Sequence, residues 1–127
     1  MVSWKRQPDR AYARQSGDNE RMPMAPTGYV HRGHLDGVVK EAGALLGPEV
    51  VHVAYSIGPD STDVPSIFFR ILLADDAVRE DTIVGVTRRI AEVLLAAVRP
   101  LEDWGLRPYF NYRSKSEQDR HKDPDFE

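Results

Sequence analysis

The chain has 127 residues, of which 41% are hydrophobic, and this is enough for one domain with a single hydrophobic core. It contains no cysteine, which excludes a disulfide framework, a thiol nucleophile and cysteine-ligated metal sites. The net charge is −3, and residues 35–112 carry twelve acidic against seven basic side chains, which argues against a dedicated nucleic-acid-binding domain with its usual basic face.

Residues 1–30 are predicted to form a polar, flexible N-terminal extension, followed by a single domain over residues 31–127. The first 26 residues are polar, and their apolar side chains show neither helical nor strand spacing. Residues 1–34 carry six basic and three acidic side chains, so this arm could contact phosphate or an acidic protein. No apolar stretch resembles a secretory signal or reaches the roughly 20 residues that span a bilayer. We therefore expect a cytoplasmic protein without membrane association.

Two segments have the apolar spacing of amphipathic helices. In HLDGVVKEAGALLGPE the apolar residues recur at helical spacing, and Gly47 followed by proline predicts a left-handed cap at the end of the helix. A longer helix is expected after Asp75 and Asp76, which are suited to cap its N-terminus. Its apolar stripe runs from Ile83 to Leu101.

Three segments are predicted to be β-strands. The first two are EVVHVAYSI and PSIFFRILLA, in which side chains of different polarity alternate and β-branched and aromatic residues are frequent. The loop GPDSTDVPS between them is too short for a crossover connection, so the two strands should form an antiparallel hairpin. The third strand is LRPYFNYRS, in which Pro108 near the start favours an edge position. Ser114 and Glu117 then have the spacing of a capping box, which predicts a short helix over about residues 115–121.

The element order α-β-β-α-β, with a short C-terminal helix, predicts an α+β fold. We expect a two-layer sandwich in which a three-stranded, mostly antiparallel sheet is covered on one face by the two main helices. The order of the strands is left open, because the third strand has either neighbour available. If the most apolar strand faces lie against the helices, the opposite face collects His52, Ser56, Phe68, Arg70, Tyr109, Asn111 and Arg113.

This second face is the candidate binding surface. Arginine and aromatic side chains are enriched at protein interfaces, which favours a non-enzymatic interaction or regulatory domain, antitoxin-like or homodimerising, whose partner is another protein or a second copy. The predicted binding residues are His52, Phe68, Arg70, Tyr109, Asn111 and Arg113. The same residues could stack on the bases of single-stranded RNA, or form an ordinary solvated face. A metal-independent nuclease or hydrolase would use His52 as base and Arg113 to hold a phosphate.

Other chemical motifs are incomplete. His31 and His34 have the i, i+3 spacing of metal ligands, but Gly33 between them indicates a flexible helix entrance. Asp60 and Asp63 are explained by turn formation, and no glycine-rich phosphate loop is found. The sequence therefore predicts no metal site, no cofactor and no catalytic residue.

The C-terminal stretch YFNYRSKSEQDRHKDPDFE is the densest polar segment. If its final helix folded back across the sheet, Arg113, Ser114, Glu117 and His121 would form a further candidate site. The capping box already accounts for Ser114 and Glu117, and we prefer that interpretation.

Overall fold

The computed structural model describes residues 25–127. The helices and strands are α1 Thr27–Val30, α2 Arg32–Gly43, β1 Val50–Pro59, β2 Pro65–Leu73, α3 Ile83–Val98, α4 Pro100–Trp104, β3 Arg107–Ser114 and α5 Lys115–Arg120, with 3-10 turns at Asp75–Val78 and Pro124–Phe126. The main elements follow the predicted order, and the α+β fold class is confirmed. Of the predicted N-terminal extension, residues 1–24 lie outside the described residues, and residues 27–30 form α1.

The three strands form one sheet in the order β1-β2-β3. β1 and β2 make the predicted antiparallel hairpin, with Tyr55 opposite Phe69. β3 lies parallel to β2, with Phe110 opposite Phe69, so the sheet is mixed rather than mostly antiparallel. The physical reason is the connection: the chain leaves the end of β2 and returns through α3, and such a helical crossover delivers a strand in the parallel direction. β3 is an edge strand, as Pro108 predicted.

The core lies between one face of the sheet and the two long helices. Ile67, Phe69, Ile71 and Leu73 alternate along β2 and are completely buried. Each of the two helices contributes a row of buried apolar side chains, which are Leu35, Val39 and Ala42 in α2 and Ile90, Leu94 and Val98 in α3. This arrangement confirms the prediction that both main helices cover one face of the sheet.

The helix ends differ from the predicted ones. α2 stops at Gly43, and its cap Ala44 is right-handed, so the left-handed cap expected at Gly47 is wrong. Helix α3 ends instead through a left-handed Arg99 with φ 52°, after which Pro100 starts the short helix α4. A non-glycine residue reaches this conformation at a cost, and here the backbone N–H of Arg99 bonds back into α3.

Asp75 does not cap α3. It lies in a separate 3-10 turn, and its carboxylate accepts hydrogen bonds from the backbone N–H of Ser116, at 2.9 Å, and from the Ser116 hydroxyl. Asp75 therefore accepts hydrogen bonds from the first turn of α5, and these two bonds hold the pKa of Asp75 below its usual range. The capping box is confirmed in part, since the Ser114 hydroxyl accepts from the Glu117 N–H at 3.1 Å.

Helix α1 packs against the turn between α4 and β3. Gly28 is buried there, and a Cβ atom at this position would lie 2.5 Å from Cδ1 of Leu106. An alanine at this position would force the fully buried Leu106 side chain to shift. Within the described residues, no helix has the length and apolar character needed to cross a bilayer.

Candidate interaction surface

The strand register places all the predicted binding residues on the sheet face opposite the core, here called the second face. Level by level across the three strands it carries His52–Leu72–Arg113, Ala54–Arg70–Asn111, Ser56–Phe68–Tyr109 and Gly58–Ser66–Arg107. The faces follow from the alternation of strand side chains, so the hydrophobic pattern of β2 was sufficient to predict them. The binding role of these residues stays a prediction.

A stack of side chains forms the centre of this face. The rings of Phe68 and Tyr109 lie side by side with centroids 5.3 Å apart and planes inclined by 13°. The Arg70 guanidinium lies 5.6 Å from the centroid of Phe68, and its Nη1 donates to the Ser56 hydroxyl at 2.8 Å. We call Arg70, Phe68 and Tyr109 the aromatic stack. Both rings are half-buried, so part of their apolar surface faces solvent.

Asp60, in the loop between β1 and β2, fixes one end of the aromatic stack. One of its carboxylate oxygens accepts from the backbone N–H groups of Thr62 and Val64, at 2.8 and 3.0 Å. The other accepts from the Tyr109 hydroxyl at 2.7 Å and from Arg107 at 3.1 Å. The Tyr109 hydrogen bond, followed by those from Val64 and Thr62, holds the Asp60 pKa well below its usual range. Asp60 is therefore ionised at neutral pH and orients Tyr109.

The C-terminal segment, residues 121–127, folds back over the other end of the second face. Phe126 is only 8% exposed, and the 3-10 turn Pro124–Phe126 contacts β1 and β2, where Leu72 is also buried. The Arg113 guanidinium lies 5.9 Å from the centroid of the Phe126 ring. The second face thus has a covered half around Leu72 and Arg113, and an open half around Phe68 and Tyr109.

Gln118 in α5 connects the C-terminal segment to the sheet. Its side-chain oxygen accepts from Arg113 at 2.6 Å and from the backbone N–H of Asp123 at 3.3 Å. Its side-chain nitrogen donates to the Asp123 carbonyl at 3.0 Å and to the Glu127 carboxylate at 2.8 Å. Gln118 is 4% exposed, so these bonds satisfy a buried polar group.

The arginines of the second face are already paired with acids. Arg107 lies 3.1 Å from Asp60, and weaker contacts of 3.8 to 3.9 Å join Arg113 to Glu117 and Arg70 to Asp125. These carboxylates compensate the positive charge locally. The face therefore offers few free cations to a phosphate.

The nuclease hypothesis gains no support from the geometry. His52 and Arg113 occupy the two edge strands at one level, with Leu72 between them, so their backbones are about 9–10 Å apart by strand spacing. Arg113 is engaged by Gln118. Over residues 25–127 no group of three His, Asp or Glu side chains is placed to hold a metal ion, and the His34 ring instead packs edge-on against Trp104.

Four residues of this surface were not predicted as part of it: Asp60, Arg107, Gln118 and Phe126. Asp60 was assigned to the turn, which is correct for one of its oxygens only. Its contacts with Arg107 and Tyr109 span 47 and 49 residues, and no local sequence pattern reports such pairs. The densely polar C-terminal stretch left open that its helix folds back across the sheet, but no pattern in it pointed to Gln118 or Phe126.

This surface presents apolar ring area together with polar side chains that are held by hydrogen bonds. No protein-family model, curated protein or solved structure was found to match this chain.

Proposed function

We propose that this chain is a non-enzymatic interaction domain, regulatory in role, which binds a protein partner or a second copy through the open half of the second face. The observation that supports this most is the aromatic stack, in which two half-buried rings lie beside an arginine in the open half of the second face. Tyrosine and arginine, together with tryptophan, are enriched among the side chains that dominate the binding energy of interfaces.

The aromatic stack is also held in place before any partner binds. Asp60 orients the Tyr109 hydroxyl, Ser56 orients Arg70, and Phe68 lies between them. Each long side chain that must be immobilised on binding costs about 0.5–1.5 kcal/mol, and this cost is reduced where the side chain is already fixed. A preorganised stack therefore favours specific contact over a merely solvated face.

Two observations favour a protein over single-stranded RNA. A base must stack on a free ring face, whereas the Phe68 ring is already stacked on Tyr109 and contacted by the Arg70 guanidinium. In addition, the arginines of this face have carboxylate neighbours, and residues 25–127 carry seventeen acidic against twelve basic side chains. RNA binding depends on phosphate contacts and would require more unpaired positive charge.

The test compares the wild type with the double variant Arg70→Glu, Tyr109→Ala and with the control Arg88→Glu, a charge reversal at an exposed position of α3. Sedimentation measures self-association, and affinity capture from the native host at moderate salt measures partner retention. We expect the wild type and the control to self-associate or retain a stoichiometric protein, and the double variant to lose this.

Equal association of the double variant and the wild type would contradict the proposal. So would a wild type that neither self-associates nor retains a protein. Recovery of RNA with affinity that falls steeply as salt rises would instead support the RNA alternative.

A further inference from the structure

The covered half of the second face already holds a peptide, namely residues 123–127 of the same chain. Residues 123–127 follow α5 through the exposed His121 and Lys122 and form a single 3-10 turn against the sheet. The Asp123 carboxylate accepts from the N–H of Asp125 at 3.0 Å and so stabilises this turn. The contacts of this segment show which chemistry the covered half accepts.

The first contact reads the peptide backbone. Gln118 accepts from the N–H of Asp123 and donates to its carbonyl, which is how a neighbouring strand would pair with it. The Gln118 side chain that makes these two bonds is buried and itself accepts a hydrogen bond from Arg113. It imposes a backbone conformation without selecting a side chain at that position.

The remaining contacts select side chains. Phe126 is the apolar anchor, buried beneath the Arg113 guanidinium at 5.9 Å. Before it in sequence, the Asp125 carboxylate lies 3.9 Å from Nε of Arg70, and after it Glu127 accepts from Gln118 at 2.8 Å. The covered half therefore fits an aromatic residue flanked on both sides by acids.

Arg70 belongs to both halves of the second face. Its guanidinium contacts the Phe68 ring in the open half, while its Nε faces Asp125 in the covered half. A partner that engages the aromatic stack consequently meets the edge of the C-terminal segment. A short tether to α5 gives the segment an effective concentration of about millimolar, so it competes with a partner segment rather than excluding one.

We propose that the covered half is a docking site for an acidic segment of the partner protein with an aromatic anchor, which displaces the chain's own C-terminal segment. This rests on the proposed function, since it names the chemistry of the partner at the same face. The native segment then acts as a competitor, which restricts binding to partners that carry both the aromatic anchor and the flanking acidic residues.

The probe is a fluorescently labelled peptide with the sequence of residues 121–127, HKDPDFE, and the measurement is fluorescence anisotropy with the full-length chain. The Phe126→Ala variant weakens the native segment and should bind the probe at least tenfold more tightly than the wild type. A second variant, Asp125→Asn, retains the anchor and should bind the probe more tightly than the wild type by a smaller factor. The probe with the same Phe126→Ala change is the matched control and should not bind.

A folded Phe126→Ala variant that binds no probe at about 1 mM, or that binds both probes equally, would overturn the proposal. If Phe126→Ala does not fold, the proposal is overturned when Asp125→Asn and the wild type bind the probe with equal affinity. A wild-type dimer that is lost in Phe126→Ala would show that a second copy's segment is the occupant and would also overturn it. The Tyr109→Ala variant separates the two proposals, because it should abolish partner association and leave probe binding unchanged. If Tyr109→Ala abolishes partner association but the probe does not bind to Phe126→Ala, the docking site alone is rejected.

Discussion

Phe68 and Phe69 are adjacent in β2, have the same side chain and point to opposite faces of the sheet. Phe69 is fully buried in the core, whereas Phe68 is half-buried on the second face. Replacing each by alanine removes the same atoms from the same strand. The two variants therefore measure how differently the two faces contribute to stability.

The Phe69→Ala variant creates a cavity between the sheet and the helices. Truncation of a buried phenylalanine typically costs about 3–5 kcal/mol, and Phe69 also loses its stacked neighbour Phe110, 5.3 Å away. Domains of this kind have a free energy of unfolding of about 5–15 kcal/mol, so a large share is lost. For a chain of this length the melting temperature should fall by about 12–20 °C.

The Phe68→Ala variant loses surface contacts but leaves no enclosed cavity. The stack on Tyr109 contributes about 0.5–1.5 kcal/mol, and the exposed contact with Arg70 about 0.5–1 kcal/mol. The free energy of unfolding should therefore fall by about 1–2.5 kcal/mol. The corresponding loss in melting temperature is about 4–10 °C.

Urea denaturation followed by circular dichroism measures both variants, and equal slopes with denaturant ensure that the midpoints report stability. The Phe68→Ala variant should remain folded and lose the proposed partner association. If its stability falls as far as that of Phe69→Ala, the second face is part of a core and our description of it is refuted. If Phe69→Ala is the milder change, the assignment of faces is reversed.

Three further predictions concern single contacts. The pKa of Asp60 is lowered in the folded protein, so the stabilisation by its carboxylate is complete above the unfolded pKa of about 3.9 and is lost as the pH falls towards the folded value. The difference in melting temperature between the wild type and Asp60→Asn should therefore be largest at neutral pH and become smaller below about pH 4. A difference that does not change with pH would contradict this. Gly28→Ala should cost about 1–3 kcal/mol in urea unfolding because the new methyl group meets Leu106, and a neutral effect would show that α1 is not docked. Tyr112→Phe should cost about 1 kcal/mol by the same assay, since the half-buried hydroxyl donates to the Thr87 carbonyl at 3.1 Å, and an unchanged midpoint would show that this bond contributes nothing.

The amino-acid sequence by itself determined the parts of the fold that depend on neighbours along the chain. The alternation in β2 separated Phe68 and Arg70 from the core side, and the spacing of Ser114 and Glu117 located the start of α5. These signals are local, because side chains alternate in every strand and a helix cap bonds only a few residues ahead. The α+β order and the composition of the second face followed from them.

Only the tertiary structure decided how distant segments meet. The parallel position of β3 beside β2 depends on how α3 packs, and Asp75 caps α5 rather than α3 across 41 residues. The bond from Tyr109 to Asp60 and the cover of Phe126 over the sheet likewise join segments whose patterns say nothing of each other. The physical reason is that such contacts are selected by the burial and charge balance of the whole domain, whereas a sequence window carries only the preferences of the residues within it.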